Sequence, residues 1–354
     1  MANRVRSADE WAVLFSSPSA QEREKALEGL GEALCAEDEA LRERTGQSVL
    51  EALVRPGAAV GPLLSALQSA WWPPPVRLAD AAMQAVTAAL ATVEVASPAV
   101  EDAALVLANV CRVAPGQCAA LEAAFGHARA SVRRAAAGAV GRVGAAAAPL
   151  LPRLVPMLQD EEDVAGAALE SLGALASLAP DVATPALLEQ VRTGEGARLY
   201  LALTALRSLV EDARRKGAPL PSLPGLEGAL HRAVQGGESA IQVEALTLLG
   251  LTGPASPAVL ERVWGRLQDT NPSVAACAAV ALLRLDAPSQ AAVALLEFQL
   301  RAVEAPAQQE SALSALEDVE PATLVQAREL LKRVADAATG PVRAAVKGLL
   351  ERLG

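Results

Sequence analysis

The sequence predicts an all-α protein, a right-handed α-solenoid of stacked antiparallel helix pairs. Three observations predict it. An apolar pattern recurs at a near-constant period. One slot of that pattern is almost always alanine. Aromatic residues make up 2% of a chain that is 52% hydrophobic. Repetition at a fixed period near 34 residues marks stacked helical units. A small residue in a fixed slot lets neighbouring helices approach closely. A core of Ala, Leu and Val, with few large rings, suits thin helical layers better than a single globular centre.

The elements follow in chain order. The opening stretch MANRVRSADEWAVLFSSPSA has two arginines and an apolar run of about five residues, too short for a secretory leader. Glu22, Ala26, Leu27 and Leu30 give a first echo of the repeat. From Glu37 to Val95 the periodicity is helical but the spacing irregular, so residues 1–95 are expected to form divergent repeats or a helical cap. A solenoid needs ends that shield its core. The segment AAMQAVTAALATVEVASPAV is interrupted by Gln84 and Glu94, and no membrane span is expected anywhere.

From 96 to 354 the pattern is regular and predicts one continuous array. Val100 leads to Ala104 and Leu105. Val132 leads to Ala136, Ala137 and Val140. The same offsets start at Val164, Arg198, Ile241, Val274, Gln308 and Val342. Successive starts from Val132 are 32, 34, 43, 33, 34 and 34 residues apart. At about 100° per residue, offsets 0, 4, 8 and 11 lie on one helical stripe, which faces the core. Each of these inner helices follows an outer one, in segments such as PLLPRLVPMLQD, SPAVLERVWGRLQDTNPS and PATLVQARELLKRVAD. Asp160 and the run Asp269-Thr270-Asn271-Pro272 read as helix-start punctuation.

LVPMLQDEEDVAGAALESLGALA and ASVRRAAAGAVGRVG resemble HEAT repeats. The pairs Val132-Arg133 and Val342-Arg343 match the family's Val-Arg, and Gly141, Gly173 and Gly250 match its late glycine. The resemblance runs from about Val100 to the C-terminus, with departures at Arg198 and Gln308, which occupy the Val slot. It implies a helical-pair solenoid that binds other molecules along its inner helices. Metal-dependent hydroxylases of this family use repeated His-Glu pairs, which this chain lacks; its two histidines, His127 and His231, stand apart. Bilin lyase subunits also resemble such short repeats, so a lyase-like or other enzyme-accessory role is an alternative.

Composition bounds the function further. With 31 basic and 41 acidic residues the formal net charge is -10, which disfavours nucleic acid, the second alternative. The stretch Ser131–Gly144 carries Arg133, Arg134 and Arg142 but no Lys-Ser/Thr, so it is an inner helix and not a phosphate loop. Only four basic residues are lysine, a bias that suggests a GC-rich bacterial genome. The four cysteines form no CxxC pair and read as reduced, small apolar residues of a cytoplasmic protein. No catalytic constellation, metal cluster or cofactor motif stands out.

Three places are candidate binding surfaces for a protein partner. Trp71 and Trp72, followed by three prolines, are either binding anchors or plugs in the core of irregular repeats. The insertion 211–225 places Arg214, Arg215 and Lys216 at a helix end, in a functional loop or a solvated linker. On the inner helices, offsets 2, 6 and 9 point away from the core: Arg134 in one repeat, and Tyr200, Thr204 and Arg207 in another. Residues 121–160 are net basic and 161–200 net acidic, a contrast that could steer a partner or be satisfied by pairing between repeats. The expectation is a non-catalytic scaffold or adaptor with a preformed inner-helix surface.

Overall fold

In a computed structural model the chain is described over residues 6–70, 73–236, 238–253, 255–287 and 290–353. The candidate pair Trp71-Trp72, read as binding anchors or core plugs, lies outside the described residues. Among those described there is helix and no strand. The chain divides into two compact units, Met1–Ala183 and Thr184–Gly354.

The first unit contains α1 (Ala8–Phe15), α2 (Ala20–Leu34), α3 (Glu39–Leu53), α4 (Val60–Ala70) and α5 (Ala79–Leu90). It continues through α6 (Pro98–Val113), α7 (Cys118–Ala124), α8 (Ala130–Val143), α9 (Leu151–Leu154) and α10 (Glu162–Ala174). Here α2, α4, α6, α8 and α10 stack in sequence as inner helices, and α3 packs between α1 and α5 on the outer side. Helix α11 (Pro180–Thr193) spans the division.

The second unit contains α12 (Gly196–Arg215), α13 (Leu226–Gln235), α14 (Ser239–Thr252), α15 (Pro257–Arg266) and α16 (Pro272–Arg284). It ends with α17 (Gln290–Arg301), α18 (Pro306–Glu317), α19 (Pro321–Leu324), α20 (Arg328–Ala337) and α21 (Gly340–Glu351). The stack is α12, α14, α16, α18, α21, with α13 against α15 and α17 against α20 outside it. Each unit is thus a layered set of helix pairs, and the fold is an all-α solenoid.

The repeat pattern explains the core. All seven offset-4 residues, Ala136, Ala168, Ala202, Ala245, Ala278, Ala312 and Val346, are 0% exposed. The offset-8 residues Val140, Leu172, Leu206, Leu249, Leu282 and Leu316 are also buried. Only Leu350, in the last helix, is half-buried. The two polar substitutions at offset 0, Arg198 and Gln308, are half-buried and leave the rest of their stripes intact. Upstream, Ala26 and Leu30 of the echo in α2 are buried, but Leu27, in the slot that is buried in most later repeats, is exposed.

Glycine is needed where inner helices come closest. A Cβ on Gly141 of α8 would sit 2.8 Å from Ser171 Oγ and 3.0 Å from Ser171 Cα on α10. The buried Ser171 hydroxyl uses this closeness, donating to Ala137 O at 2.7 Å and accepting from Gly141 N at 3.1 Å. A Cβ on Gly250 of α14 would lie 3.0 Å from Ala281 Cα on α16. Both are late glycines of the repeat.

The punctuation is partly as expected. Asn271 caps α16, accepting from Ser273 N at 2.9 Å, with Pro272 in the first turn. Asp160 does not cap α10; its carboxylate is taken by Arg133, two bonds of 2.7 Å, and Glu161 holds the N-cap place without a side-chain bond. The outer segment expected as one helix over PLLPRLVPMLQD is broken into a 3-10 stretch Ala145–Leu150, α9, and a second 3-10 stretch Val155–Gln159. Pro149, Pro152 and Pro156 remove the amide donors a longer helix needs. Helix α1, which carries no repeat pattern, closes the N-terminal end of the first unit. Its Trp11 is 1% exposed, stacks on Phe15 with ring centres 6.0 Å apart, and lies under the Arg6 guanidinium at 5.0 Å.

Candidate functional site

The inner helices turn offsets 2, 6 and 9 away from the buried stripe, and those positions form the candidate surface. In the second unit, α12 carries Tyr200, Thr204 and Arg207 one turn apart. Tyr200 is 38% exposed, a high value for so large a side chain. Thr204 is half-buried and its hydroxyl donates to Tyr200 O at 3.0 Å. Arg207 is engaged within the protein: Nε donates to Glu244 Oε2 on α14 at 2.8 Å and Nη1 to Glu211 Oε1 at 3.2 Å. Burial works against the Arg207 charge, but Glu244 and Glu211 outweigh it and hold its pKa above the ordinary value. The Arg207 guanidinium is therefore already engaged by this chain's own carboxylates.

Arg134 lies in the first unit, on α8. Its Nη2 donates to Glu101 Oε1 on α6 at 2.9 Å and its Nη1 to Val95 O at 2.5 Å, with Asp163 on α10 at 3.7 Å. Arg142 takes the other Glu101 oxygen at 2.6 Å. Glu101 is thus clamped by two guanidiniums, one per oxygen. Arg133, one residue earlier, holds Asp160, and these hydrogen bonds keep the Asp160 carboxyl below its usual range against the opposing effect of burial. The basic band at 121–160 and the acidic band that follows it are joined by these pairs, Arg133 with Glu161 and Arg134 with Asp163.

A second feature of the second unit was only half visible in the sequence. Helix α12 runs on to Arg215, so the first third of the insertion is helix and the linker proper starts at Lys216. Lys216 pairs with Asp212 at 2.6 Å. Arg214 and Arg215 instead line a cleft of about 450 Å³, with Leu251 of α14, the 317–321 turn and Arg352 of α21. The centre of its wall is Glu320, which accepts from Arg214 Nη1 at 2.7 Å and from Arg284 Nε at 3.1 Å. Burial pushes the Glu320 carboxyl up; its backbone amide and the two arginines outweigh that and hold it below the usual range. Arg284 also donates to Asp318 O, and Arg352 to Glu317 O and Val319 O, so both cap the last carbonyls of α18. Most of these guanidiniums hold the turn together, and Arg215 is exposed at the rim.

The partners Glu101, Glu244 and Glu320 were missed by motif reading, yet the sequence carries a signal for them. They stand 33, 37 and 36 residues from Arg134, Arg207 and Arg284. That is one repeat. Opposite charges one period apart meet side by side, on neighbouring inner helices for Glu101 and Glu244 and at the turn after α18 for Glu320.

The histidines take local roles. His127 Nδ1 accepts from Arg129 N at 3.1 Å, and His231 Nε2 meets Gln235 at 2.7 Å. Among the described residues no three His, Cys, Asp or Glu side chains gather as a metal would need, and no helix is long and apolar enough to cross a membrane.

No family model and no curated protein sequence matches the chain. Similarity appears among solved structures. An engineered protein aligns over 100% of this chain and 98% of its own at TM-score 0.52 and 17% identity. The karyopherin Kap121p, in a complex with Pho4p, aligns over 94% of this chain and 40% of its own at TM-score 0.64 and 13% identity. In a complex with RanGTP it aligns over 90% and 39% at TM-score 0.60 and 14% identity. The chain spans about two fifths of the length of Kap121p. At such identities the likeness is one of fold, and it places the chain among helical solenoids.

Proposed function

We propose that this chain is a non-catalytic, protein-binding scaffold or adaptor of the HEAT-repeat type, acting in the bacterial cytoplasm. The observation that carries the reading is the inner-helix surface itself. Its packing residues are fully buried and separate from the residues it presents, so the surface exists before any partner arrives. Binding on a preformed surface avoids much of the ordering entropy that a flexible partner site loses. Kap121p, a solenoid of similar fold, forms complexes with proteins such as Pho4p and RanGTP, which supports the general mode and says nothing of the partner here.

The proposed contact residues are Tyr200 and Thr204 on α12, with Arg207, Arg134 and the Trp71-Trp72 pair as further candidates. Tyr200 is the strongest of them: it is the chain's single tyrosine, exposed, with an apolar ring and a polar tip. Residues 1–95 are proposed as the divergent, end-capping part, and 96–354 as the regular array. The test is a photo-crosslinking amino acid placed at Tyr200 and, separately, at Phe298 on the outer helix α17, which is 65% exposed. Crosslinks to one partner protein from Tyr200 and none from Phe298 are expected. Crosslinks from Phe298 alone would move the binding surface to the outer helices and overturn the assignment.

A further inference from the structure

The cleft at the ends of α12, α18 and α21 holds charges of both signs that do not pair with each other. Arg215, in the last turn of α12, is exposed and has no hydrogen bond or ion pair among the described residues. Arg214 beside it uses Nη1 on Glu320 and keeps its other donors. Glu317 is the last residue of α18 and Asp318 its C-cap. Both line the same cleft, both are exposed, and neither carboxylate has a partner among the described residues. The nearby guanidiniums are committed elsewhere. Arg352 gives Nη1 to Glu317 O at 2.5 Å and Nη2 to Val319 O at 2.6 Å. Arg284 is divided between the Glu320 carboxylate and Asp318 O. Two acidic side chains are thus left at the C-terminal end of a helix, where the dipole is negative and a cation is favoured.

We propose that this cleft binds a small zwitterion of the amino-acid or short-peptide class. Its ammonium sits beside Glu317 and Asp318, and its carboxylate on Arg215 and the spare donors of Arg214. An anion alone would meet the two carboxylates, and a cation alone would meet the arginines. A ligand charged at both ends matches both sets, and charge-assisted hydrogen bonds are the strong ones. The rest of the lining suits the body of such a ligand, with apolar atoms from Leu251, Val319 and Pro321. The volume, about 450 Å³, is that of a small-molecule site. The site is separate from the protein-binding surface proposed above. Arg214 lies 14 residues along α12 from Tyr200, about 21 Å.

The experiment is a thermal-shift screen of the full chain against the common amino acids and their homodipeptides, each at about 10 mM, because a ligand of the native state raises Tm. Calorimetric titration then measures the compounds that do so. At least one zwitterion is expected to bind. A free amino acid binding alone would identify that source, and a dipeptide binding alone would identify a peptide. The N-acetyl form of the bound compound lacks the ammonium and its amide form lacks the carboxylate; each should bind at least about tenfold more weakly. Arg215→Ala and Glu317→Gln, both at exposed positions, should each weaken binding by a similar factor while leaving the unliganded Tm unchanged. No shift from any compound, equal binding of either blocked form, or undiminished affinity in either variant would each overturn the assignment.

Discussion

A single atom decides the role of the late glycines. At Gly141 an added Cβ would meet the backbone of α10 within 3.0 Å, while at Gly166, on the presented face of α10, it would meet nothing within 4 Å. Both glycines lie inside helices, where alanine is favoured by up to about 1 kcal/mol. Gly166→Ala should therefore stabilise the protein by about 0.5–1 kcal/mol. Gly141→Ala gains the same propensity but forces α8 and α10 apart, and overpacking of this kind costs about 1–3 kcal/mol. A net loss is expected, with the Ser171 bonds lengthened. Urea midpoints of the two variants should move in opposite directions. Asp160 offers a second test at this scale. Its folded pKa is depressed by Arg133, so the stabilisation is complete above the unfolded value near 3.9 and is lost as pH falls through the folded one. Asp160→Asn should lower stability at pH 7 by roughly 1–3 kcal/mol and should show a smaller further loss than wild type between about pH 4 and 2.

At the scale of elements, what could be read in advance was the repeated part. The residues at offsets 4 and 8, from Ala136 to Leu316, are all buried as the pattern predicts, because they are set by period and size alone. Proline-rich outer segments were less legible. Their apolar content fits a helix, but Pro149, Pro152 and Pro156 break it into 3-10 turns and one short helix. Helix α1 was not legible at all, because eight residues without a repeat partner give no period to detect. It nevertheless buries the largest side chain in the first core. Trp11→Ala should lower stability by about 3–5 kcal/mol, as for other buried aromatics cut back to alanine, and denaturant unfolding of the full chain would measure it. The candidate surface was half legible. The positions of Tyr200 and Thr204 followed from helix geometry, but the carboxylates that engage Arg134 and Arg207 come from neighbouring helices a full period away.

At the scale of the whole molecule, two compact units imply two sets of core contacts, and in helical arrays stability is a sum of local terms. Fluorotryptophan NMR can follow the units separately, since Trp11 belongs to the first and Trp264 to the second. Gly141→Ala is expected to shift the denaturation midpoint reported by Trp11 and leave that of Trp264 unchanged. Equal shifts at both probes would mean that the 354 residues unfold as one cooperative body.

The alanines at offset 4 have one more consequence. A contact made of methyl groups is nearly featureless: every inner helix offers its neighbour almost the same shape, and shape alone would let any repeat follow any other. The order of repeats must then be written in something else, and the arginine–carboxylate pairs one period apart are suited to it. Arg207 finds Glu244 on the next inner helix, Arg284 finds Glu320 in the turn after α18, and Arg333 finds Glu297 on the neighbouring outer helix α17. Exchanging the charges of one pair, Arg207→Glu with Glu244→Arg, should recover at least half of the stability that either single change removes, as a double-mutant cycle would show. Repeats shuffled at the DNA level should fail where like charges meet, although every core would still fit.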